Sequence, residues 1–318
     1  VNQLNWPPTH SAHQLKNFKA SINGRWPPFS VQLNSQSQHE SLPQLSWQLS
    51  AQQDEQEWNI EQLSLNAEGL DLIGQATLNT TQFDTNANID LQSFDATQFN
   101  SEWADIGKWH GQLSVNKQGQ SIMIPASSFQ QTEGKGSIDL NGHYQIDQQS
   151  FDANLDWLNL AWQQNEAQFN SQQGSIDIEG SLQNYIASSQ LNISSSLVAS
   201  TQEHPASVEF NISGDTQQAH IEKLLVQASE SLLRMEGEVQ WQPQLDWQLS
   251  IESKDFNPAL LTADIPGSIS LSAQSQGRQD EQGLFANLSL QSLSGQLLGK
   301  PIACLLYTSD AADDSLGV

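Results

Sequence analysis

Histidine and cysteine are the residues here best suited to metal or nucleophile chemistry, and the chain holds seven and one of them respectively. His10 and His13 stand three apart, close enough to share an ion, but they sit in a turn-rich stretch with no third ligand type beside them, and solvated loop histidines are the reading that fits. No H-E-x-x-H, C-x-x-C or G-x-S-x-G is present. The run Gly295-Gln296-Leu297-Leu298-Gly299-Lys300 has the outline of a phosphate loop. It is one residue short between its glycines, and Pro301 stands where a Ser or Thr must hold magnesium. Two glycines kinking a sheet is the better account. Asp54, Glu55 and Glu57 form a short charge run that reads as a solvated turn. Asn192-Ile193-Ser194, Asn211-Ile212-Ser213 and Asn287-Leu288-Ser289 match a glycosylation sequon, yet each also fits plain strand alternation, and in a bacterial chain the sequon is silent. The expectation is a protein that is not an enzyme and carries no catalytic residues, metal or cofactor.

The elements that would position any function come next. Apolar residues are only 36% of the 318, but charged residues are only 15%, so Gln, Ser and Asn make up the difference. Ten Trp and eleven Phe argue against disorder, which goes with high charge and few aromatics. Low apolar content with strict alternation describes thin, two-faced sheets. A net charge of −25 repels phosphate, which argues against nucleic acid and anionic lipid surfaces as partners. No apolar run approaches the ~20 residues needed to span a bilayer. The opening at Val1 carries no basic-then-apolar leader, as expected of an internal piece of a longer chain. The lone Cys304 excludes an internal disulfide and leaves the compartment open.

Alternation runs through most of the chain. Trp247, Leu249 and Ile251 alternate with Gln248, Ser250 and Glu252; Ile269, Leu271 and Ala273 alternate with Ser270, Ser272 and Gln274; Ala286, Leu288 and Leu290 repeat the pattern. Residues two apart on a strand share a face, so each piece has one apolar and one polar side. Corners at Trp6-Pro7-Pro8 and Trp26-Pro27-Pro28 mark strand ends, since proline cannot donate to a ladder. Ile60-Glu61-Gln62-Leu63 returns as Ile221-Glu222-Lys223-Leu224, 161 positions later. Each is followed by a strand into Gly74 or Gly237, a two-faced strand, and a Phe-led helical turn at Phe94 to Phe99 or Phe256 to Leu261. A degenerate middle copy runs through Gly142 and Phe151 to Ile178. The pattern predicts a quasi-one-dimensional β array with no linker that splits it, and short helical turns near Thr97 to Ile106 and Pro258 to Ala263.

The order Trp247, Asn257-Pro258-Ala259-Leu260-Leu261, Pro266-Gly267 and Leu293-Ser294-Gly295-Gln296-Leu297-Leu298-Gly299-Lys300-Pro301-Ile302 resembles the repeating unit of the AsmA-like superfamily, most closely its TamB branch. That resemblance implies an all-β fold: an elongated, repetitive antiparallel sheet curled into an open groove, the β-taco. It implies a periplasmic segment of a Gram-negative bacterial protein anchored to the inner membrane through a part outside this chain. It also implies phospholipid transport between the membranes and, with a TamA-like outer-membrane barrel as partner, assembly of outer-membrane and autotransporter proteins.

An apolar sheet face gives that function its physical form. A sixteen-carbon tail loses on the order of 12 kcal/mol on entering water, at ~0.8 kcal/mol per CH₂, so a carrier must offer phospholipid acyl chains an unbroken apolar track. The residues expected to line it are Ile89, Leu91, Leu113, Val115, Ile176, Ile178, Trp247, Leu249, Ile251, Ile269, Leu271, Leu288 and Leu290. The rival is a surface adhesin or passenger-like β-solenoid with the same face sealed as core. The long, irregular repeat favours the trough, because packed solenoid coils repeat at ~20–30 residues. Residues 1–303 are expected to form this segment. Alternation stops at Ile302, and Cys304 to Val318 resembles translated sequencing adaptor, so 304–318 is expected to be a foreign tail that adds nothing to the fold.

Overall fold

A computed structural model describes residues 3–5, 14–24, 28–39, 42–99, 106–164, 167–262, 264–280 and 283–304. His10, His13, the residues Trp6 to Pro8, Trp26, Pro27 and the tail beyond Cys304 lie outside them. The chain divides into two compact units, Val1–Ile193 and Ser194–Val318. The first holds β1 (Gln3–Asn5), β2 (Gln14–Gly24), β3 (Phe29–His39), β4 (Leu42–Asp54), β5 (Glu57–Ala67), β6 (Leu70–Asn79) and β7 (Thr85–Asp95). It continues through β8 (Lys108–Gln118), β9 (Ser121–Gln131), β10 (Ser137–Gln145), β11 (Ser150–Gln164), β12 (Ala167–Ser181) and nearly all of β13 (Asn184–Ser195). The second holds β14 (Ala206–Gly214), β15 (Gln218–Ala228), β16 (Ser231–Gln240), β17 (Leu245–Phe256), β18 (Gly267–Asp280), β19 (Gly283–Leu297) and β20 (Lys300–Cys304).

Each unit is an antiparallel meander, as alternation separated by short polar turns demands. In the first, β1 through β12 pair successively, each with its neighbours in sequence. β13 lies beside β12, with Ser189 Oγ donating to the Ser175 carbonyl at 2.7 Å. In the second, β14 through β20 pair in the same way. Among the described residues no pairing joins the first strand of either unit to its last, so neither meander closes into a barrel.

Among the described residues helix is confined to single turns. Ala96–Gln98 follows β7, and its opening amide at Thr97 is capped by Asp95 Oδ1 at 3.1 Å. Pro258–Leu260 follows β17, where Asn257 Oδ1 accepts from the amides of Ala259 and Gly267, both at 3.1 Å, and so closes the corner onto β18. Asx caps and a proline at the first helical position are what such turns need. A helical turn stands at the start of each expected stretch, near Thr97 and at Pro258; residues 100–105 and 263 of those stretches lie outside the described residues. A further turn, Ser200–Glu203, was not foreseen; its organiser is the buried Thr201, whose hydroxyl donates to the Val198 carbonyl at 2.8 Å and accepts from the Ser195 amide at 3.0 Å.

The loop-like run at Gly295 is sheet. Gly295 lies opposite Ile269 in the β18–β19 ladder, where a Cβ would come within 2.0 Å of the Ser268 carbonyl oxygen. Leu298 and Gly299, at φ 51° and 73°, form the two-residue turn between β19 and β20. Positive φ at both central positions marks the hairpin turn whose twist suits its strands. Gly295 therefore lies in the sheet as expected, while Gly299 belongs to the hairpin turn.

Candidate functional site

Cross-strand register is what turns alternating strands into a surface. Residues directly opposite in an antiparallel ladder point to the same side. In the first unit one row runs Leu33, Leu49, Leu63, Gly74, Ile89, Leu113 across six successive strands. A second runs Leu65, Leu72, Leu91, Gly111, Phe129, Ile138, Trp157, Gly174 across eight. Ile176 and Ile178 continue that side of β12, opposite Leu155 and Ala153. Some bulges fall where both flanking pairs keep apolar residues aligned, for example between Leu91 and Phe94 in β7, opposite Gly111 and Trp109.

The second unit repeats the construction. One row runs Phe210, Leu224, Met235, Ile251, Ala273, Leu290. The next runs Ile212, Ile221, Gly237, Leu249, Ser275, Leu288, and a third holds Ala219, Val239, Trp247, Gly277 and Ala286. Leu271 and Ile269 share this side of β18 with Ala273. The expected track residues of each unit therefore lie on one face of that unit. None of them is buried: Leu288 is 58% exposed and the others are half-buried. Leu33, Leu49, Leu63, Phe210, Leu224 and Met235 belong to the same rows and were not among the expected residues. Their alternation was legible, but the register that aligns them with Ile89 or Ile251 was not.

Two tryptophans share one local device. Trp157 stands opposite Gly174 and Trp247 opposite Gly277. A Cβ on Gly174 would sit 2.2 Å from the Trp157 ring, and one on Gly277 2.3 Å from the Trp247 ring, so each indole occupies the space a side chain would fill. Each ring N–H then donates to a serine on the same neighbouring strand, Trp157 to Ser171 Oγ at 2.8 Å and Trp247 to Ser275 Oγ at 3.0 Å. The apolar body thus stays on the face while its one polar atom is satisfied.

The opposite face explains the Asn and Gln content. Asn141 Nδ2 donates to Asn154 Oδ1 at 3.1 Å, and Asn154 Nδ2 to Asp177 Oδ1 at 3.0 Å, a side-chain ladder across three strands. Ser114 bonds Asn88 at 2.8 Å, Asn211 bonds Glu222 at 2.7 Å, and Lys223 pairs with Glu209 at 2.6 Å. A depression of about 440 Å³ opens mainly on this polar side of the second unit, lined by His220, Glu238, Gln248, Gln276 and Asn287 among others. Carboxylates and amides suit water rather than hydrocarbon, so this hollow is no place for an acyl chain. Among the described residues no group of three or more His, Cys, Asp or Glu could hold a metal ion. Among the described residues Asp95 is the carboxyl held clearly below its ordinary value of 3.8, chiefly by the Thr97 hydroxyl, which outweighs the opposing effect of burial and is helped by the Thr97 amide and Lys108.

Fold and surface together define a class: repetitive, two-faced antiparallel β proteins whose apolar side is left half open. The family model described as TamB, N-terminal domain, matches residues 1–128 and again residues 126–306. The chain belongs to that family. No curated protein and no solved structure matches it.

Proposed function

We propose that this chain is a periplasmic stretch of an inner-membrane-anchored bridge whose apolar sheet faces carry phospholipid acyl chains between the inner and outer membranes. In the same reading, a TamA-like outer-membrane barrel engages the longer protein elsewhere, and the pair serves assembly of outer-membrane and autotransporter proteins. The work is transport and assembly rather than catalysis. Membership of the TamB family, which is linked to lipid and protein transport in the envelope, supports it. Among the described residues no helix is long and apolar enough to cross a membrane; in this reading the anchor is carried by another part of the longer protein.

One observation carries the reading: cross-strand rows of largely half-exposed apolar side chains, interrupted by glycines and Ser275, with a polar face one residue away. An acyl chain laid along Leu224, Met235 and Ile251 meets no charged group on that side. At about 25 cal/mol per Å² of apolar surface removed from water, partly exposed rows still hold binding energy that a sealed core would already have spent.

The test is a photo-crosslinker at Leu249 or at Gln248 in the full-length protein. These neighbours in β17 face opposite sides. Phospholipid captured at Leu249 and not at Gln248 is the expected result. Equal capture at both, or none at either, would return the apolar rows to ordinary core.

A further inference from the structure

We propose that the polar side of β17, β18 and β19 is a binding site for an uncharged oligosaccharide, separate from the apolar rows on the other side. Two rows of side chains cross these strands in register: Gln248, Gln276 and Asn287 in one, Ser250, Gln274 and Ser289 in the next. Between them Leu249, Ser275 and Leu288 belong to the opposite face. The hollow of about 440 Å³ is therefore walled by the two polar rows and floored by main chain. A second hollow, of about 390 Å³, shares Gln248, Gln276 and Asn287 and extends toward Asp246, Arg278 and Phe285. Each is of the size that small-molecule sites have.

Three features set this place apart from the polar side of the first unit. There the amides bond one another, Asn141 to Asn154 and Asn154 to Asp177. Here, among the described residues, none of the six side chains in the two rows is hydrogen-bonded to another protein group. Their donors and acceptors are left to whatever enters the hollow. The second feature is Phe285, which stands opposite Arg278 and two residues from Asn287, so it shares the polar face. Among the described residues it is the one aromatic ring that a strand of the second unit places on that side. It is 46% exposed, and the Arg278 guanidinium steadies it from 5.6 Å. The third is charge: Glu236, Glu238 and Asp246 line the two hollows against Arg278 and His220, and Glu236 is already paired with Arg234.

These features select the ligand class. Carboxylates in a chain of net charge −25 repel anions, which turns away phosphorylated and sulfated ligands. A hydrocarbon chain would strand the amides without partners. A sugar hydroxyl both donates and accepts, and so matches an amide or a serine at either polarity. The C–H face of a pyranose ring can lie on Phe285 while its hydroxyls reach Gln276 and Asn287.

Ligand-observed NMR titration of the whole chain tests this, with cellotetraose, maltotetraose and chitotetraose as uncharged probes and hyaluronan tetrasaccharide as the anionic one. At least one uncharged probe is expected to bind with a Kd on the order of 1 mM or tighter, and the anionic probe is expected not to bind. Phe285→Ala and Gln276→Ala should each weaken binding about fivefold, while Phe285→Tyr retains it. Asn154→Ala, which breaks the amide ladder of the first unit, should leave it unchanged. Phe285 and Gln276 are exposed, so an unaltered unfolding midpoint is expected to accompany both losses. Failure of all three uncharged probes to bind would overturn the proposal. So would equal binding of the anionic probe, or binding indifferent to both Phe285→Ala and Gln276→Ala.

Discussion

Trp247 and Gly277 show how one missing side chain can hold a much larger one. The indole fills the space over the glycine, and Ser275 takes its N–H. Gly277→Ala should destabilise the chain by about 1–3 kcal/mol, because a methyl forced against a packed ring displaces it from its rotamer. The same change in a Trp247→Leu background should have a much smaller effect, and urea unfolding of the four-member cycle measures the coupling. Asp95 offers a different handle. Its carboxylate is hydrogen-bonded in the folded chain and its pKa is depressed below 3.8. The stabilisation it contributes is complete above the unfolded-state value and is lost as pH falls through the lower folded value. Asn257 holds the corresponding position in the second unit and caps its turn without a charge. Asp95→Asn should therefore keep the turn and flatten the acid limb of the stability profile below about pH 4. An acid limb identical to that of the unaltered chain would show that this carboxylate contributes nothing to it.

One strand-and-turn passage recurs in the two units, Phe94-Asp95 closing β7 and Phe256-Asn257 following β17. The capped turns supply much of the true core. Ala96, Phe256, Ala259 and Leu260 are all buried, while side chains farther along the same strands stay half open. This contrast predicts two different responses to one substitution. Leu260→Asp removes a side chain that is 2% exposed and should lower stability by about 3 kcal/mol or more, since the carboxylate has no route to water. Leu249→Asp can turn its charge toward solvent and should cost less than about 1.5 kcal/mol. Chemical denaturation of both variants is the measurement. Similar large losses would mean that Leu249 is sealed core.

The whole chain, at net charge −25, shapes how it can meet a membrane. Its charge opposes approach to anionic headgroups, so under the proposed function any gain from lipid comes from the acyl chains. Flotation with phosphatidylglycerol vesicles should show little association at low ionic strength. It should show no less at 0.15 M salt, where the Debye length is about 8 Å and repulsion is screened. Association that is strong at low salt and falls as salt is added would point to a basic surface and contradict this. The tandem family match, over residues 1–128 and 126–306, is in keeping with the degenerate return of one strand-and-turn order in the second unit.

Strand identity, two-facedness and the two capped turns were legible because they depend on neighbours within a few positions: alternation of period two, Asx before a turn, glycine at a hairpin. The 161-residue echo of Ile60 to Leu63 in Ile221 to Leu224 was legible for the same reason, as both stretches meet the same local demands. Continuity of the apolar rows was not. It rests on which residue stands opposite which, and a one-residue slip would send every side chain to the other face. Bulges between Ile60 and Leu63, or between Ser253 and Phe256, leave no mark in composition, yet they keep Leu63 in line with Gly74 and Phe256 with Ile269. Burial was likewise decided only by the assembled sheet. Leu249, Leu288 and Leu260 are the same residue type, but one ends half-buried in β17, one mostly exposed in β19 and one enclosed in a capped turn, because burial measures what other parts of the chain bring to a side chain.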